Sequence, residues 1–203
     1  MTFYFDMDGV LAKFNKSANT ANPPLFNRPG QHYFLKCEPD IKAITIAQTM
    51  LAAGLDVRIL SRLNGPREML DEWRCDKTAW LKRYMPDISP EHIILTETTK
   101  DKFLNHIPER QRAAHVLIDD FNENLAMWEE NGGVGVKYGN DLNNPASWYG
   151  LKLWSQWPVD VCLRRLNGLI PRNPFQWLID QTIWFNESMC SPGTRYRGRE
   201  TKS

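Results

Sequence analysis

Short apolar runs alternate along this chain with longer segments in which apolar residues recur at helical spacing. The apolar runs predict five strands, at 2–5, 57–60, 93–95, 116–118 and 134–136. The segments with helical spacing are 41–51, 66–84 and 122–131. This alternation is typical of an α/β fold with a mostly parallel five-stranded sheet. Right-handed crossovers would place helices on both faces of that sheet.

Three stretches do not follow this alternation. Residues 12–39 are rich in Asn, Pro and aromatic residues and are predicted to be irregular. Residues 148–190 contain five of the eight tryptophans, too many for a solvated tail, so we expect them to wrap the domain, to act as a lid or to make an oligomer contact. Residues 191–203 form a basic tail that we expect to be disordered. The main domain would then be 1–147.

Carboxylates follow two of the predicted strands at the points where those strands end. Asp6 and Asp8 come after the first strand, and Asp119 and Asp120 come after the fourth. In an open α/β sheet the ligand crevice lies outside the carboxyl ends of the strands, and residues i and i+2 face the same side. Clustered acids repel one another unless a cation such as Mg²⁺ is present. A solvated acidic turn would explain the first pair alone.

Two further polar groups are predicted at the same edge of the sheet. Ser61 follows the second strand and offers a hydroxyl, with Arg62 beside it. The segment 99–103 offers an ammonium group from Lys100 or Lys102. The predicted site therefore combines carboxylates, a hydroxyl and a cation.

The order of these groups along the chain resembles the four motifs of the haloacid dehalogenase-like (HAD) superfamily of phosphotransferases. The matching residues are Asp6 with Asp8, Ser61, Lys102, and Asp119 with Asp120. The resemblance covers roughly residues 1–140. Within the superfamily, the segments 59–61, 117–120 and 132–136, together with Asn124, look most like the 5′(3′)-deoxyribonucleotidase family.

This resemblance implies a Rossmann-like HAD fold and a Mg²⁺-dependent phosphomonoester hydrolase that forms an aspartyl-phosphate. Asp6 would be the nucleophile, and Asp8 would be the general acid and then the general base. The metal ligands would be the Asp6 carboxylate, the main-chain carbonyl of Asp8, and Asp119. Asp120 would orient metal-bound water or the phosphate-binding lysine.

The resemblance also implies that Ser61, Arg62 and Lys102 bind the phosphate of the substrate. Lys100 competes with Lys102 for this role. We favour Lys102 because it directly precedes an apolar pair, Phe103 and Leu104, that would begin an anchored helix.

In this superfamily an insertion after the first strand forms a cap over the substrate, so 12–39 is expected to be a small lid. Its aromatic residues Phe14, Phe26, Tyr33 and Phe34 could stack on a base, or they could simply pin the loop to the domain. The expected substrate is a (deoxy)nucleoside monophosphate. A site under so small a lid would be open and could also admit a larger phosphorylated substrate or the end of a polynucleotide. Another small phosphorylated molecule is a further alternative.

Charge and composition narrow the expected partners. The formal net charge is +1, with 25 basic and 24 acidic residues, so a nucleic-acid partner is possible but not favoured, and a membrane partner is not expected. The chain starts without a basic and apolar leader, and its four cysteines form no CxxC pair, so we expect a cytoplasmic protein with reduced thiols. A homo-oligomer could form through the Trp-rich segment. The alternative to an enzyme is a catalytically inactive HAD-like scaffold or binding protein.

Overall fold

The computed structural model describes residues 1–14, 24–63, 65–140 and 147–170. Its strands are β1 (Thr2–Phe5), β2 (Asp56–Arg62), β3 (Ile93–Thr96), β4 (His115–Asp119), β5 (Val134–Gly139) and β6 (Leu151–Trp154). Its α-helices are α1 (Ile41–Ala52), α2 (Leu70–Tyr84), α3 (Glu109–Arg112), α4 (Asn122–Glu130) and α5 (Val159–Asn167). Short 3₁₀ helices cover Leu25–Asn27, Phe34–Lys36, Arg67–Met69, Pro90–His92 and Lys100–His106.

All six strands pair in parallel in the order β3-β2-β1-β4-β5-β6, which confirms the predicted α/β class and mostly parallel sheet. The sheet has six strands instead of the predicted five because Leu151–Trp154 adds to β5. This strand is a half-buried edge in which Leu151 and Leu153 alternate with Lys152 and Trp154. An alternating edge strand lacks the continuous apolar run that identifies a buried parallel strand, so the sequence pattern did not reveal it.

The central strand, β1, is buried on both faces. Phe3 and Phe5 point to the face covered by α1, α2 and α5, whereas Tyr4 points to the face covered by α4 and the 3₁₀ helix Lys100–His106. This burial explains why residues 2–5 form an uninterrupted apolar run. It also fixes the position of Asp6, the next residue along the chain, between the ends of β2 and β4.

Residues 24–39, which with 12–14 are the described part of the predicted lid, are hydrogen-bonded to α2. The Glu72 carboxylate accepts hydrogen bonds from the backbone N–H groups of Gly30 and His32, at 2.7 and 3.3 Å. His32 Nδ1 is hydrogen-bonded to Asp76 Oδ1 at 2.9 Å, and this bond raises the pKa of His32. Trp73 Nε1 donates to the Phe26 carbonyl at 3.0 Å. The lid segment is therefore held along one edge by helix α2.

The four aromatic residues predicted for the lid pack on one another and on α2. Phe14 lies 5.6 Å from both Phe26 and Tyr33 between ring centroids, and Phe34 lies 4.9 Å from Trp73. Phe34 is 3% exposed, whereas Phe14, Phe26 and Tyr33 are half-buried. Phe34 thus pins the lid, and the partly exposed rings retain a face that a ligand could contact.

Some predictions fall outside the described residues. These are the lid residues 15–23 and the segment 171–203, which includes the rest of the Trp-rich extension and the basic tail. In the described part, α5 packs against α1, and Cys37, Cys75 and Cys162 are free thiols. No helix in the described ranges combines the length and the hydropathy needed to cross a bilayer.

Helix α1 offers a test of the fold at its N-terminus. Asp40 caps this helix, since its carboxylate accepts hydrogen bonds from the N–H groups of Lys42 and Ala43, both at 3.1 Å. We predict that Asp40→Ala lowers the free energy of unfolding by about 1 kcal/mol, measured by urea unfolding. Asp40→Asn keeps a capping oxygen and should retain most of this stability. An equal loss in both variants would contradict the capping role.

Candidate active site

The strand register brings the predicted acidic residues together at the carboxyl edge of the sheet. Phe5 lies opposite Ile59 of β2 and Ile118 of β4, so Asp6 and Asp119 leave the sheet at the same level. Carboxylate oxygens of Asp6, Asp119 and Asp120 all lie within 4.8 Å of one another, and these residues are only 5%, 0% and 8% exposed. Three buried carboxylates at this separation form a donor set that suits a hard divalent cation.

One lysine sits inside this acidic group. Lys100 is 2% exposed, and its Nζ lies 2.8 Å from Asp6 Oδ1 and 2.6 Å from Asp119 Oδ2. Burial alone would lower the pKa of Lys100, but Asp119 and Asp6 raise it, so the ammonium stays charged. Lys100 therefore links the end of β1 to the end of β4.

The placement of Lys100 corrects the preference for Lys102. The Lys102 side chain is 60% exposed and lies 3.6 Å from Asp101 instead of in the acidic group. The physical reason is that residues 100–106 form a 3₁₀ helix, which has about three residues per turn. Lys100 starts the buried side of this helix, and Lys102 falls on the solvent side.

The buried acids outnumber the cations that contact them, and Asp6 shows the effect most strongly. Burial raises the pKa of Asp6 to about 8, against the attraction of Lys100 and with further contributions from Asp119 and Asp8. Burial therefore favours the protonated form of Asp6. A divalent ion would favour the ionised carboxylate that a nucleophile needs. This imbalance fits the predicted metal.

Asp119 and Asp120 are held in place by their own network. Asp119 Oδ1 accepts from the N–H of Phe121 at 2.8 Å, and its Oδ2 accepts from Asn124 Nδ2 at 2.9 Å. Asn140 Nδ2 donates to Asp120 Oδ2 at 3.2 Å, and the buried Lys137 donates to the Asp120 carbonyl. These contacts orient both carboxylates before any ligand arrives.

The turn after β1 requires a glycine. Gly9 has φ of +86°, and a Cβ at this position would lie 2.1 Å from Asp120 Oδ2. Asn140 Nδ2 also donates to the Gly9 carbonyl at 2.5 Å. Gly9 therefore allows the close approach of the two acidic segments as well as the turn itself.

Asp8 is turned away from the other acids and toward a residue that the sequence did not identify as functional. Its Oδ2 is bonded to the Nζ of Lys77, which comes from helix α2 and is completely buried. Lys77 Nζ also donates to Ser61 Oγ at 3.0 Å and to the Arg62 carbonyl at 3.1 Å. Ser61, a residue that the sequence analysis placed in the site, is fully buried near the end of β2.

Lys77 had one signal in the sequence. It lies on the apolar face of α2 with Trp73 and Trp80, and the apolar stem of a lysine is by itself compatible with such a face. A charged group at a core position needs a buried partner of opposite charge, so the position of Lys77 on this face indicated a buried ion pair. Arg62, also predicted for the site, has a buried Nε without a hydrogen-bond partner among the described residues.

A cavity of about 510 Å³ opens beside the Asp8 turn. Its lining residues are Lys13, Phe14, Gln31, Tyr33, Lys36, Cys37 and Glu38. Ala12 forms β-bridges with both Asp8 and Pro39, so this wall of the cavity continues directly into the turn that carries the acids. Burial, and then the charge of Asp8, raise the pKa of the Cys37 thiol to about 12, so Cys37 is a neutral lining group.

Comparisons with known proteins agree with this architecture. No family model and no curated protein sequence matches the chain. A structure from Mesorhizobium loti, described as a HAD-like phosphatase, has a TM-score of 0.54 and 11% identity, over 85% of this chain and 88% of that chain. D,D-heptose 1,7-bisphosphate phosphatase from Burkholderia thailandensis has a TM-score of 0.50 and 10% identity, over 83% of this chain and 97% of that chain. The chain thus has the Rossmann-like fold of HAD-like phosphatases, as the sequence predicted.

The raised pKa of Asp6 generates a prediction for metal binding. A metal that binds the ionised carboxylate must displace the proton, so affinity rises with pH up to the pKa of about 8 and levels off above it. We predict that the apparent Kd for Mg²⁺ falls by up to about tenfold per pH unit between about pH 6 and pH 8, measured by calorimetry.

The matched control is Asp6→Asn, which has no proton to displace. This variant should bind Mg²⁺ weakly and with little dependence on pH over the same range. An affinity of the unchanged protein that stays constant from about pH 6 to pH 8 would contradict the proton displacement.

Proposed function

We propose that this protein is a Mg²⁺-dependent phosphomonoester hydrolase that forms an aspartyl-phosphate on Asp6. The observation that carries this proposal is the convergence of Asp6, Asp119 and Asp120 around Lys100, with Ser61 and Asp8 beside them. The fold alone would not decide the chemistry, because one fold serves many functions. The identity and spacing of these side chains support phosphoryl transfer.

The three clustered carboxylates would hold the Mg²⁺ ion. Their oxygens lie within 4.8 Å of one another, and the main-chain carbonyl of Asp8 stays a predicted fourth ligand. When bound, the ion would neutralise negative charge on the phosphate and on the nucleophile. Asp120 is a member of this carboxylate group itself, which is a more direct role than the orienting role expected from the sequence.

Asp6 is positioned to attack phosphorus. Its Oδ1 accepts hydrogen bonds from the Met7 N–H at 2.7 Å and from Lys100 at 2.8 Å. These two donors hold Oδ1, and Oδ2 would be the oxygen that attacks. In the first step a bond forms between Asp6 and phosphorus as the bond from phosphorus to the leaving oxygen breaks, and the electron pair stays on that oxygen.

Asp8 would transfer the protons. Its Oδ1 is buried and has no hydrogen-bond partner among the described residues, whereas its Oδ2 is held by Lys77. Protonated Asp8 would give its proton to the leaving oxygen in the first step. In the second step Asp8 would take a proton from the water that attacks phosphorus, which releases phosphate and restores Asp6.

Lys100, Ser61 and Arg62 would stabilise the phosphoryl oxygens. Lys100 contributes a fixed charge, Ser61 a buried hydroxyl, and Arg62 a buried Nε that has no partner in the described ranges. Donors that are already oriented toward the charge of the transition state contribute large rate factors. Lys102 lies outside this arrangement because its side chain is 60% exposed.

The substrate class that we infer is a (deoxy)nucleoside monophosphate. The cavity next to Asp8 carries two aromatic residues, Phe14 and Tyr33. A half-buried ring offers a face for a base, whose phosphate would lie at Asp6. A volume of about 510 Å³ is within the range of small-molecule sites.

The function is tested by release of inorganic phosphate with Mg²⁺ present and with Mg²⁺ chelated. The panel contains deoxynucleotides, ribonucleotides, sugar phosphates, 3′-phosphorylated oligonucleotides and p-nitrophenyl phosphate. We expect Mg²⁺-dependent turnover, abolished in Asp6→Asn. A preference for the oligonucleotides would favour a polynucleotide-end phosphatase, and absence of turnover on every ester would favour a scaffold protein.

The two neighbouring lysines provide a matched pair for the same assay. We predict that Lys100→Met lowers kcat by ~10²-fold or more, because it removes a buried charge from the phosphoryl site. Lys102→Met changes an exposed residue and should leave kcat within about twofold of the unchanged protein. Equal losses in both variants would contradict the assignment of Lys100.

The inferred nucleotide subsite predicts a change that depends on the substrate. Phe14→Leu should raise KM for a deoxynucleoside monophosphate roughly tenfold, because a stacked base loses its aromatic partner. KM for p-nitrophenyl phosphate should change much less. Tyr149→Leu is the control, since Tyr149 is 79% exposed and bonded to Glu129 at the end of α4. An equal rise in KM for both substrates would refute base stacking on Phe14.

A further inference from the structure

Lys77 is a buried charge that the four-motif arrangement does not use. It lies in the middle of α2, and its side chain is 0% exposed. A lysine this deeply buried is costly to desolvate, so its ammonium group needs partners of good geometry. The identity of those partners indicates what the lysine does.

All three N–H groups of the Lys77 ammonium have acceptors. They are Asp8 Oδ2, Ser61 Oγ and the carbonyl oxygen of Arg62. The ring of Phe34 covers the same ammonium, with Nζ 4.4 Å from the ring centroid. Because a lysine has three donors, none is left for an oxygen of the substrate. Lys77 is thus placed to organise neighbouring groups and not to bind phosphate.

The contact with Asp8 distinguishes the two oxygens of its carboxylate. Oδ2 is bonded to Lys77, whereas Oδ1 has no hydrogen-bond partner among the described residues. A carboxylate held by one oxygen cannot rotate freely, so the free oxygen keeps a fixed direction. Proton transfer depends strongly on such alignment, because donor and acceptor must approach within hydrogen-bond distance.

The contact with Ser61 has a parallel effect. Ser61 Oγ accepts a hydrogen bond from Lys77 at 3.0 Å, which leaves its own O–H to donate elsewhere. Ser61 Oγ donates to Asp8 Oδ2 at 3.5 Å, a long contact for a hydroxyl donor. A phosphoryl oxygen at normal distance would replace that weak interaction.

We propose that Lys77 is a positioning residue that holds Asp8 Oδ2 and thereby presents Asp8 Oδ1 to the leaving oxygen. This inference rests on the proposed function and deepens it. In the step concerned, the bond from phosphorus to the leaving oxygen breaks, its electron pair stays on that oxygen, and the proton of Asp8 Oδ1 moves there. Asp8 is left as a carboxylate opposite the Lys77 ammonium, which stabilises the new charge.

The test uses Lys77→Met, which keeps the length of the stem and removes the ammonium. Lys82→Met is the matched control, because Lys82 is exposed on the same helix. For each protein kcat/KM is measured with Mg²⁺ on a series of aryl phosphates of increasing leaving-group pKa, extended by an alkyl phosphate. For an enzyme with a covalent intermediate, kcat/KM reports substrate binding and formation of the aspartyl-phosphate, and not its hydrolysis.

The expected result depends on the leaving group. A nitrophenolate leaves without a proton, so Lys77→Met should change kcat/KM for p-nitrophenyl phosphate by less than about fivefold. An alkoxide needs the proton, so kcat/KM for the alkyl phosphate should fall by ~10²-fold or more. The dependence of kcat/KM on leaving-group pKa should become steeper in Lys77→Met and stay unchanged in Lys82→Met.

A second set of variants checks that the effect passes through Asp8. Asp8→Asn should show the same steep dependence, and adding Lys77→Met to it should cause little further loss for the alkyl phosphate. If Lys77→Met does not fold, as judged by circular dichroism, Lys77→Gln is measured in the same way. Its neutral amide should give the same change in slope at smaller amplitude.

The outcomes separate this inference from the proposed function. If the unchanged protein shows no Mg²⁺-dependent turnover of any ester, the proposed function fails. If the unchanged protein is active but the folded Lys77 variant keeps its slope, or loses activity equally on all leaving groups, the positioning role is overturned. Equal losses would identify Lys77 as a structural residue of the site.

Discussion

The neutralisation of buried carboxylates at one edge of the sheet is the constraint on which this structure depends. The strand register brings Asp6 and Asp119 to the same level, and the cost of burying both is offset by Lys100 between them. Asp8 is neutralised separately by Lys77. Two lysines therefore neutralise different acids: Lys100 of the 3₁₀ helix contacts Asp6 and Asp119, and Lys77 of α2 contacts Asp8.

This division separates two tasks that one lysine could not perform together. Lys100 contacts Asp6 and Asp119, two of the carboxylates that would hold a cation. Lys77 has all its donors engaged on the other side, against Asp8 and the end of β2. Because each ammonium has its own acceptors, the proposed general acid Asp8 and the proposed nucleophile Asp6 would be oriented independently before a substrate binds.

Sequence patterns predicted the fold class, the central strands and the acidic residues, because buried parallel strands are continuous apolar runs and the acids directly follow them. They missed β6, an edge strand without such a run. The choice between Lys100 and Lys102 required the hand and pitch of a short 3₁₀ helix, which apolar spacing does not specify. Lys77 was overlooked because a lysine stem on an apolar helix face is ordinary, and its partners are distant in the sequence.

The Phe34 ring over the Lys77 ammonium ties the shape of the lid to the chemistry beneath it. A lid lifted from α2 would admit water to the ammonium, and a hydrated lysine holds a carboxylate more weakly than a dry one. The proton donor would then lose its alignment whenever the entrance stood open. Under the proposed mechanism, shielding from solvent and alignment of the proton donor would therefore occur together, which would limit hydrolysis of an ester that is not enclosed.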